Sequence, residues 1–299
     1  MGALPLSSHR YDGQPFATTA HSLTMTDSLH PLDDALALTE AGPGRYTART
    51  SPAYWNMVGP FGGITAAVLL QAVMQHPQRL GDPLSLTVNY AGAIAEGEFT
   101  VQAVPVRTNR STQHWTLSVL QPGADGEPVV TTTATAVTAV RRETWSLPDT
   151  PMPEVAGPDG LERVLRGMPV KWLDRYDLRP VAGALPSRWD GGGDSSLSQL
   201  WMRDEPARPL DFCALAALAD VFFPRVWLRR ARQVPAGTVS LTVYFHASRE
   251  QLADTGAGYL LGQARAQEFR NGFFDQTVQL WNQGGTMLAS SHQIVYYKE

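Results

Sequence analysis

One carboxylate, Asp220, interrupts an otherwise uncharged apolar stretch, Phe212–Phe223. Burial disfavours the charged form of a carboxylate and raises its pKa, which makes it a more capable base toward water. An aspartate here could equally sit near a helix end, facing solvent or capping a backbone group. Two more polar residues stand in apolar company. Thr238 opens the run Thr238–His246 just after Pro235-Ala236-Gly237, and Gln293 precedes Ile294 and Val295. On strict strand alternation Val239, Leu241, Val243 and Phe245 share one face, leaving Thr238 with Ser240, Thr242, Tyr244 and His246 on the other. Taken singly, Thr238 reads as an ordinary β-branched strand residue and Gln293 as a solvent-facing one, although a buried amide would need partners. As a set, the three could hold a water molecule and remove its proton.

Other chemistry is missing from the sequence. There is no G-x-S-x-G nucleophile elbow, no P-loop (the glycines at 191–193 have no lysine after them), no H-E-x-x-H and no dinucleotide fingerprint. The seven histidines are scattered, none at ligand spacing, and the single cysteine, Cys213, excludes a thiolate cluster, so we expect no metal and no cofactor. Gly62 and Gly63 could let a substrate approach the backbone closely, or could serve only tight packing. Arg225, Arg229, Arg230 and Arg232 cluster, and Arg107 and Arg110 lie near a strand end. Such groups could meet an anionic substrate, Arg225 first among them, or simply be solvated.

Stepping from these residues to their supports, Gly63–Gln75 and Asp211–Phe223 are apolar almost all round, as buried helices are, with Pro77 and Pro224 as stops. Strand-like runs follow each: Leu84–Tyr90, Glu98–Arg107, His114–Gln121 and Val129–Val140, then Thr238–His246, Tyr259–Phe269, Phe274–Asn282 and Met287–Tyr297. Ser85-Leu86-Thr87-Val88 recurs as Ser240-Leu241-Thr242-Val243, so the chain reads as one unit written twice, each a sheet wrapped around a buried helix in an α+β arrangement. Aligning the repeats sets Pro83 opposite Thr238 and Thr135 opposite Gln293, so only the second unit can carry the trio. Pro148–Gly167 reads as a linker, Lys171–Ala184 as a first strand and Ser196–Met202 as a further strand of the second unit. The expected layout is a loose extension over 1–26, a first unit over 27–145, a linker over 146–167 and a second unit over 168–299.

The chain has 299 residues, 43% hydrophobic, with a formal charge of -4. Nothing here suggests a nucleic-acid partner, and no stretch reaches the roughly 18 apolar residues of a membrane span. The start, Met1–Thr26, lacks the apolar core of a secretory signal, and Met25 opens a more ordinary sequence. With a lone cysteine, this points to a cytoplasmic protein.

The runs A-L-A-D-V-F-F-P at 217–224, G-T-V-S-L-T-V-Y-F-H at 237–246 and A-S-S-H-Q-I-V at 289–295 resemble the bacterial acyl-CoA thioesterase II (TesB-like) family. N-M-V-G-P-F-G-G at 56–63 and R-P-V at 179–181 resemble it too, and the likeness spans roughly residues 30–299. The resemblance implies a tandem (double) hotdog fold, an acyl-CoA substrate and self-association. It also implies hydrolysis by water that Asp220, Thr238 and Gln293 activate. His292 and the bulky neighbours of Asp220 depart from the family pattern. The rival readings are another hotdog enzyme, such as an enoyl-CoA hydratase, and a non-catalytic acyl-CoA binder.

Overall fold

The computed structural model describes residues 1–2, 29–164 and 170–299. The extension expected over 1–26 lies outside the described residues save for the first two, and so does the boundary expected at 167. In chain order the elements are α1 (Pro31–Ala35), β1 (Thr39–Glu40), β2 (Arg45–Arg49), α2 (Gly62–Met74), β3 (Asp82–Tyr90), β4 (Glu98–Thr108), β5 (Thr112–Pro122) and β6 (Pro128–Ala139). They continue with β7 (Tyr176–Ala182), β8 (Ser198–Asp204), α3 (Phe212–Leu218), α4 (Arg225–Arg230), β9 (Ala236–Phe245), α5 (Arg249–Thr255), β10 (Leu260–Arg265), β11 (Phe269–Arg270), β12 (Phe273–Asn282) and β13 (Met287–Tyr297).

The strands form one antiparallel sheet in the order β1-β2-β4-β5-β6-β3-β9-β13-β12-β10-β8-β7, with β11 beside β12. This order is symmetric about its middle. There β3 and β9 pair so that Thr87 lies opposite Thr242, and their hydroxyls are 3.0 Å apart. The recurring S-L-T-V strands therefore meet each other across a pseudo-two-fold axis, and the two expected units share a single sheet. Each wraps one helix: α2 and α3 pack together in a common core in which Ala66, Ala67, Leu69, Leu70, Leu215, Ala216 and Ala217 have no exposed surface. Helices apolar on every side are stable only in such a setting, where each buried leucine contributes about 1.5–3 kcal/mol. This is the tandem hotdog α+β fold expected from the resemblance.

Several expectations need correction. The second helix was expected to run to Phe223 but ends at Leu218, and i→i−3 bonds from Asp220 and Val221 close a turn beyond it. Pro224 explains the difference, because its ring has no N–H for the carbonyl at 220 and clashes with it, so the stop acts a full turn upstream. Lys171–Ala184 is a 3₁₀ turn over Lys171–Arg175 followed by β7, and Tyr259–Phe269 breaks into β10 and β11. Helix α5, whose Ser248–Gln251 capping box was a readable signal, was missed, as were α1 and the short strands β1 and β2. Residues 152–164 lie against the outer side of β7, β8 and β10. Trp201 donates to Ala156 O at 2.8 Å, and Met152, Val155 and Leu161 pack on Trp201, Tyr259 and Leu261.

Candidate active site

Asp220 sits in the turn after α3. From β13, Ser291 donates to Ala219 O at 3.3 Å and ties this turn to the sheet. Two residues along the same strand face, Gln293 is buried and its amide N–H donates to Asp220 Oδ1 at 2.6 Å. The other end of that amide accepts from Thr238 Oγ1 at 3.4 Å. Asp220, Gln293 and Thr238 thus form one hydrogen-bonded chain, although they lie far apart in sequence.

Thr238 reaches this chain through an irregularity. Leu241, Val243 and Phe245 face the core, so alternation would turn Thr238 away from it. Instead Ser240 pairs with Ile294 and Thr238 with Val295, leaving Val239 as an extra residue that is turned outward. This β-bulge reverses the phase of the strand and aims Thr238 inward, which corrects the face assigned by alternation.

The other wall of the site is the start of α2. Phe61 precedes the helix without capping it by its side chain, so the first amides have no capping partner there. The Gly63 N–H is directed to the Asp220 carboxylate. Gly62 is required by close approach, since a Cβ at this position would lie 2.7 Å from Asp220 Oδ2. A Cβ on Gly63 would lie 2.6 Å from Ala217 O. Tyr90, at the end of β3, donates from Oη to Gly62 O at 2.8 Å. Sequence reasoning missed Tyr90, because nothing local distinguishes it from any other strand-end tyrosine.

Burial pushes the Asp220 carboxyl up to about 7, against hydrogen bonds from Gln293 and the Gly63 N–H that favour its ionised form. Burial raises Tyr90 and Tyr176, with the Asp220 charge adding to both, so both are neutral, and Tyr90 is the one that donates, to Gly62 O. The site therefore combines a carboxyl raised toward neutrality, an amide bonded to it, a hydroxyl bonded to that amide, and a helix N-terminus whose dipole favours negative charge.

The pseudo-symmetric position in the first half is filled. The β3–β6 register pairs Leu86 with Ala136 as the β9–β13 register pairs Leu241 with Gln293. Ala136, rather than the expected Thr135, therefore matches Gln293. Pro83 stands for Thr238 and Phe245 for Tyr90. Helix α3 opens on Phe212, which meets Phe245 edge-on at 5.9 Å, and its N-cap Asp211 accepts from Ala214 N at 2.8 Å.

Arg225, expected to meet an anionic substrate, is completely buried. Its guanidinium donates to Phe223 O, to Ser196 O at 3.1 Å and to Ser198 Oγ at 2.8 Å. It fastens the segment after α3 to the start of β8 and is not available at the surface. Arg229 donates to Gly193 O, and Arg230 pairs with Glu299. Nearer the site, an open cleft of about 510 Å³ is lined by Thr50, Pro52, Trp55, Lys171, Asp174 and Arg175. The Trp55 carbonyl accepts from the backbone N–H groups of Lys171 and Trp172, and the Trp172 ring stacks on Phe61 at 4.3 Å, next to Gly62. Among the described residues no group of three His, Cys, Asp or Glu side chains is placed to hold a metal ion, and no helix is long and apolar enough to cross a membrane.

Two antiparallel halves that share one sheet, each with a buried helix, define a tandem hotdog protein. The sequence profile of the acyl-CoA thioesterase C-terminal domain matches residues 147–297, and that of the N-terminal domain matches residues 51–139. The chain belongs to the acyl-CoA thioesterase family. Among solved structures it is similar to a conserved hot dog-fold protein of unknown function from Alicyclobacillus acidocaldarius, with 47% identity, TM-score 0.85, and 91% of this chain and 99% of that one covered. It also resembles the acyl-CoA thioesterase II TesB2 of Mycobacterium marinum, at 18% identity and TM-score 0.70, with 89% of this chain and 98% of that one covered. No curated protein matches significantly.

Proposed function

We propose that the protein hydrolyses acyl-CoA thioesters to a free fatty acid and CoA, with Asp220, Gln293 and Thr238 activating the water. The observation that carries this reading is the hydrogen-bonded chain Asp220–Gln293–Thr238 set against the start of α2, where Phe61 supplies no side-chain cap. Gln293 has one amide hydrogen on Asp220 and its oxygen on Thr238, so its second hydrogen can hold the water oxygen. Thr238 donates its proton to Gln293, which leaves its oxygen free to accept from that water. Asp220 Oδ2 takes the other water proton as the oxygen bonds to the thioester carbon. The resulting oxyanion is stabilised by amides of the first turn of α2. Collapse breaks the C–S bond, and Asp220 returns its proton to the departing thiolate, giving the carboxylic acid and CoA thiol.

The cleft beside Trp55 accommodates the CoA arm, with Lys171 and Arg175 as cations in place of the buried Arg225. Location in the cytoplasm and self-association are part of this proposal. Exposed Tyr244, Phe273, Ile294 and Tyr296, on neighbouring strands of the outer sheet face, support the latter. A hydratase reading wants an Asp and a His acting together, and among the described residues no histidine bonds Asp220: His292 lies 3.6 Å from Asp275 and His246 bonds Ser290. Release of free thiol from a panel of acyl-CoAs tests the proposal. Wild type is expected to release it and Asp220→Asn to lose at least about 100-fold. Equal rates for the two proteins would refute the assignment of Asp220.

A further inference from the structure

One peptide unit at the head of α2 has a polar side chain on each side. The carbonyl of Gly62 accepts from Tyr90 Oη at 2.8 Å, and the N–H of the next residue, Gly63, is directed to Asp220. These two atoms belong to the same planar amide, so fixing the oxygen fixes the direction of the hydrogen. The unit lies between two glycines, the residues that least restrain a peptide from rotating, and Phe61 adds no side-chain cap. Both glycines are dictated by close approach to Asp220 and to Ala217 O, so no side chain can be placed here to stiffen the backbone. Within α2 the Gly62 oxygen also accepts from the backbone N–H at 66, so the Tyr90 hydroxyl is a second, external restraint on the unit.

The duplicated half supplies an internal comparison. The position matching Tyr90 is Phe245, in a half whose helix opens on Phe212 and carries no acid site. The strand position is therefore compatible with a ring lacking a hydroxyl: α3 is capped by its own Asp211, whereas α2 has no side-chain cap and meets Asp220 from the other half, and it is there that the hydroxyl occurs.

We propose that Tyr90 is a positioning residue for the hydrolysis, its hydroxyl locking the Gly62–Gly63 amide so that the Gly63 N–H is aimed into the reaction site. This rests on the reading of Asp220 given above. The titratable side chains that face Asp220 are Tyr90 from β3 and Tyr176 from β7, with Gln293 as its neutral partner from β13. Without the hydroxyl the amide tilts within the first turn of α2, and the Gly63 N–H that favours the ionised form of Asp220 loses its alignment on the carboxylate.

The test is Tyr90→Phe in the full chain, read in two ways. Carbon-13 NMR titration of the Asp220 carboxyl, its signal assigned by its loss in Asp220→Asn, is expected to move to higher pH in Tyr90→Phe. Steady-state hydrolysis is expected to show kcat down by roughly 10–100-fold with KM within about twofold of wild type, since the carboxylate and the helix end lose their mutual alignment while both stay in place. Melting temperature is expected to hold, because phenylalanine already occupies the matching site. An unmoved Asp220 titration or an unchanged kcat overturns the proposal, as does a loss carried by KM alone. If Asp220→Asn instead hydrolyses like wild type, the water-activation reading fails, while the titration still decides whether Tyr90 governs the amide.

Discussion

Gly62→Ala is the substitution most tightly tied to the geometry of the site. The added Cβ would stand 2.7 Å from Asp220 Oδ2 and 3.3 Å from Tyr90 Oη, where ordinary contact begins at 3.4 Å. The carboxylate must therefore retreat by ~0.7 Å, or α2 must shift by as much. Retreat is opposed by the 2.6 Å bond from Gln293 and by the Ser291 anchor on Ala219 O. A displacement approaching 1 Å at a reacting group costs about 100-fold in rate, or roughly 2.7 kcal/mol in the barrier. Alanine favours a helix over glycine by up to about 1 kcal/mol, while overpacking opposes it by about 1–3 kcal/mol, so stability is expected to fall only slightly. Gly92→Ala is the control, since a Cβ there meets nothing within 4 Å. The assay is kcat/KM for thiol release together with a thermal melt. Gly62→Ala within about threefold of wild type would refute the placement of the Asp220 carboxylate against α2.

The remaining predictions concern protonation and Arg225. As a base with its carboxyl raised to about 7, Asp220 should make kcat/KM fall tenfold per unit as pH drops below about 7 and level off above it. Gln293→Ala removes a hydrogen bond that favours the ionised form, so its acid limb should lie at higher pH, measured by the same profile. Because the folded carboxyl titrates above its ordinary 3.8, the folded state binds the extra proton between these values. Its contribution to stability therefore improves as pH falls through about 7, and Asp220→Asn should remove that slope from the pH dependence of urea unfolding. Arg225→Met should cost about 2 kcal/mol in urea unfolding by leaving buried carbonyls unpaired, with KM unchanged, whereas Lys171→Ala should raise KM.

The fold was legible because its main signals are local. Two apolar helices, strand runs with turn residues between them and the repeated S-L-T-V strand are all periodic features of neighbouring residues. The types of the three candidate residues were also visible, as polar groups in apolar company. What was not legible depends on long-range register. Thr238 faces inward only because Val239 is extruded opposite Ile294 and Val295, and alternation alone assigns it to the wrong side. Ala136 replaced Thr135 as the match for Gln293 once strand pairing was known. Arg225 looked like a surface cation within a basic cluster, and its burial follows from acceptors contributed by Ser196 and Ser198, nearly thirty residues earlier. Tyr90 and Gly62 acquire meaning only when β3 and α2 are brought together.

The contact between Thr87 and Thr242 bears on how such an asymmetric enzyme could arise. A homodimer assembled from one gene must write every change into both of its sites at once. Joining the copies in a single polypeptide across this strand pair releases each position from its twin. One junction can then keep its aspartate and glycines while the other accepts proline, alanine and phenylalanine, so the fused chain can specialise one site and use the other as packing.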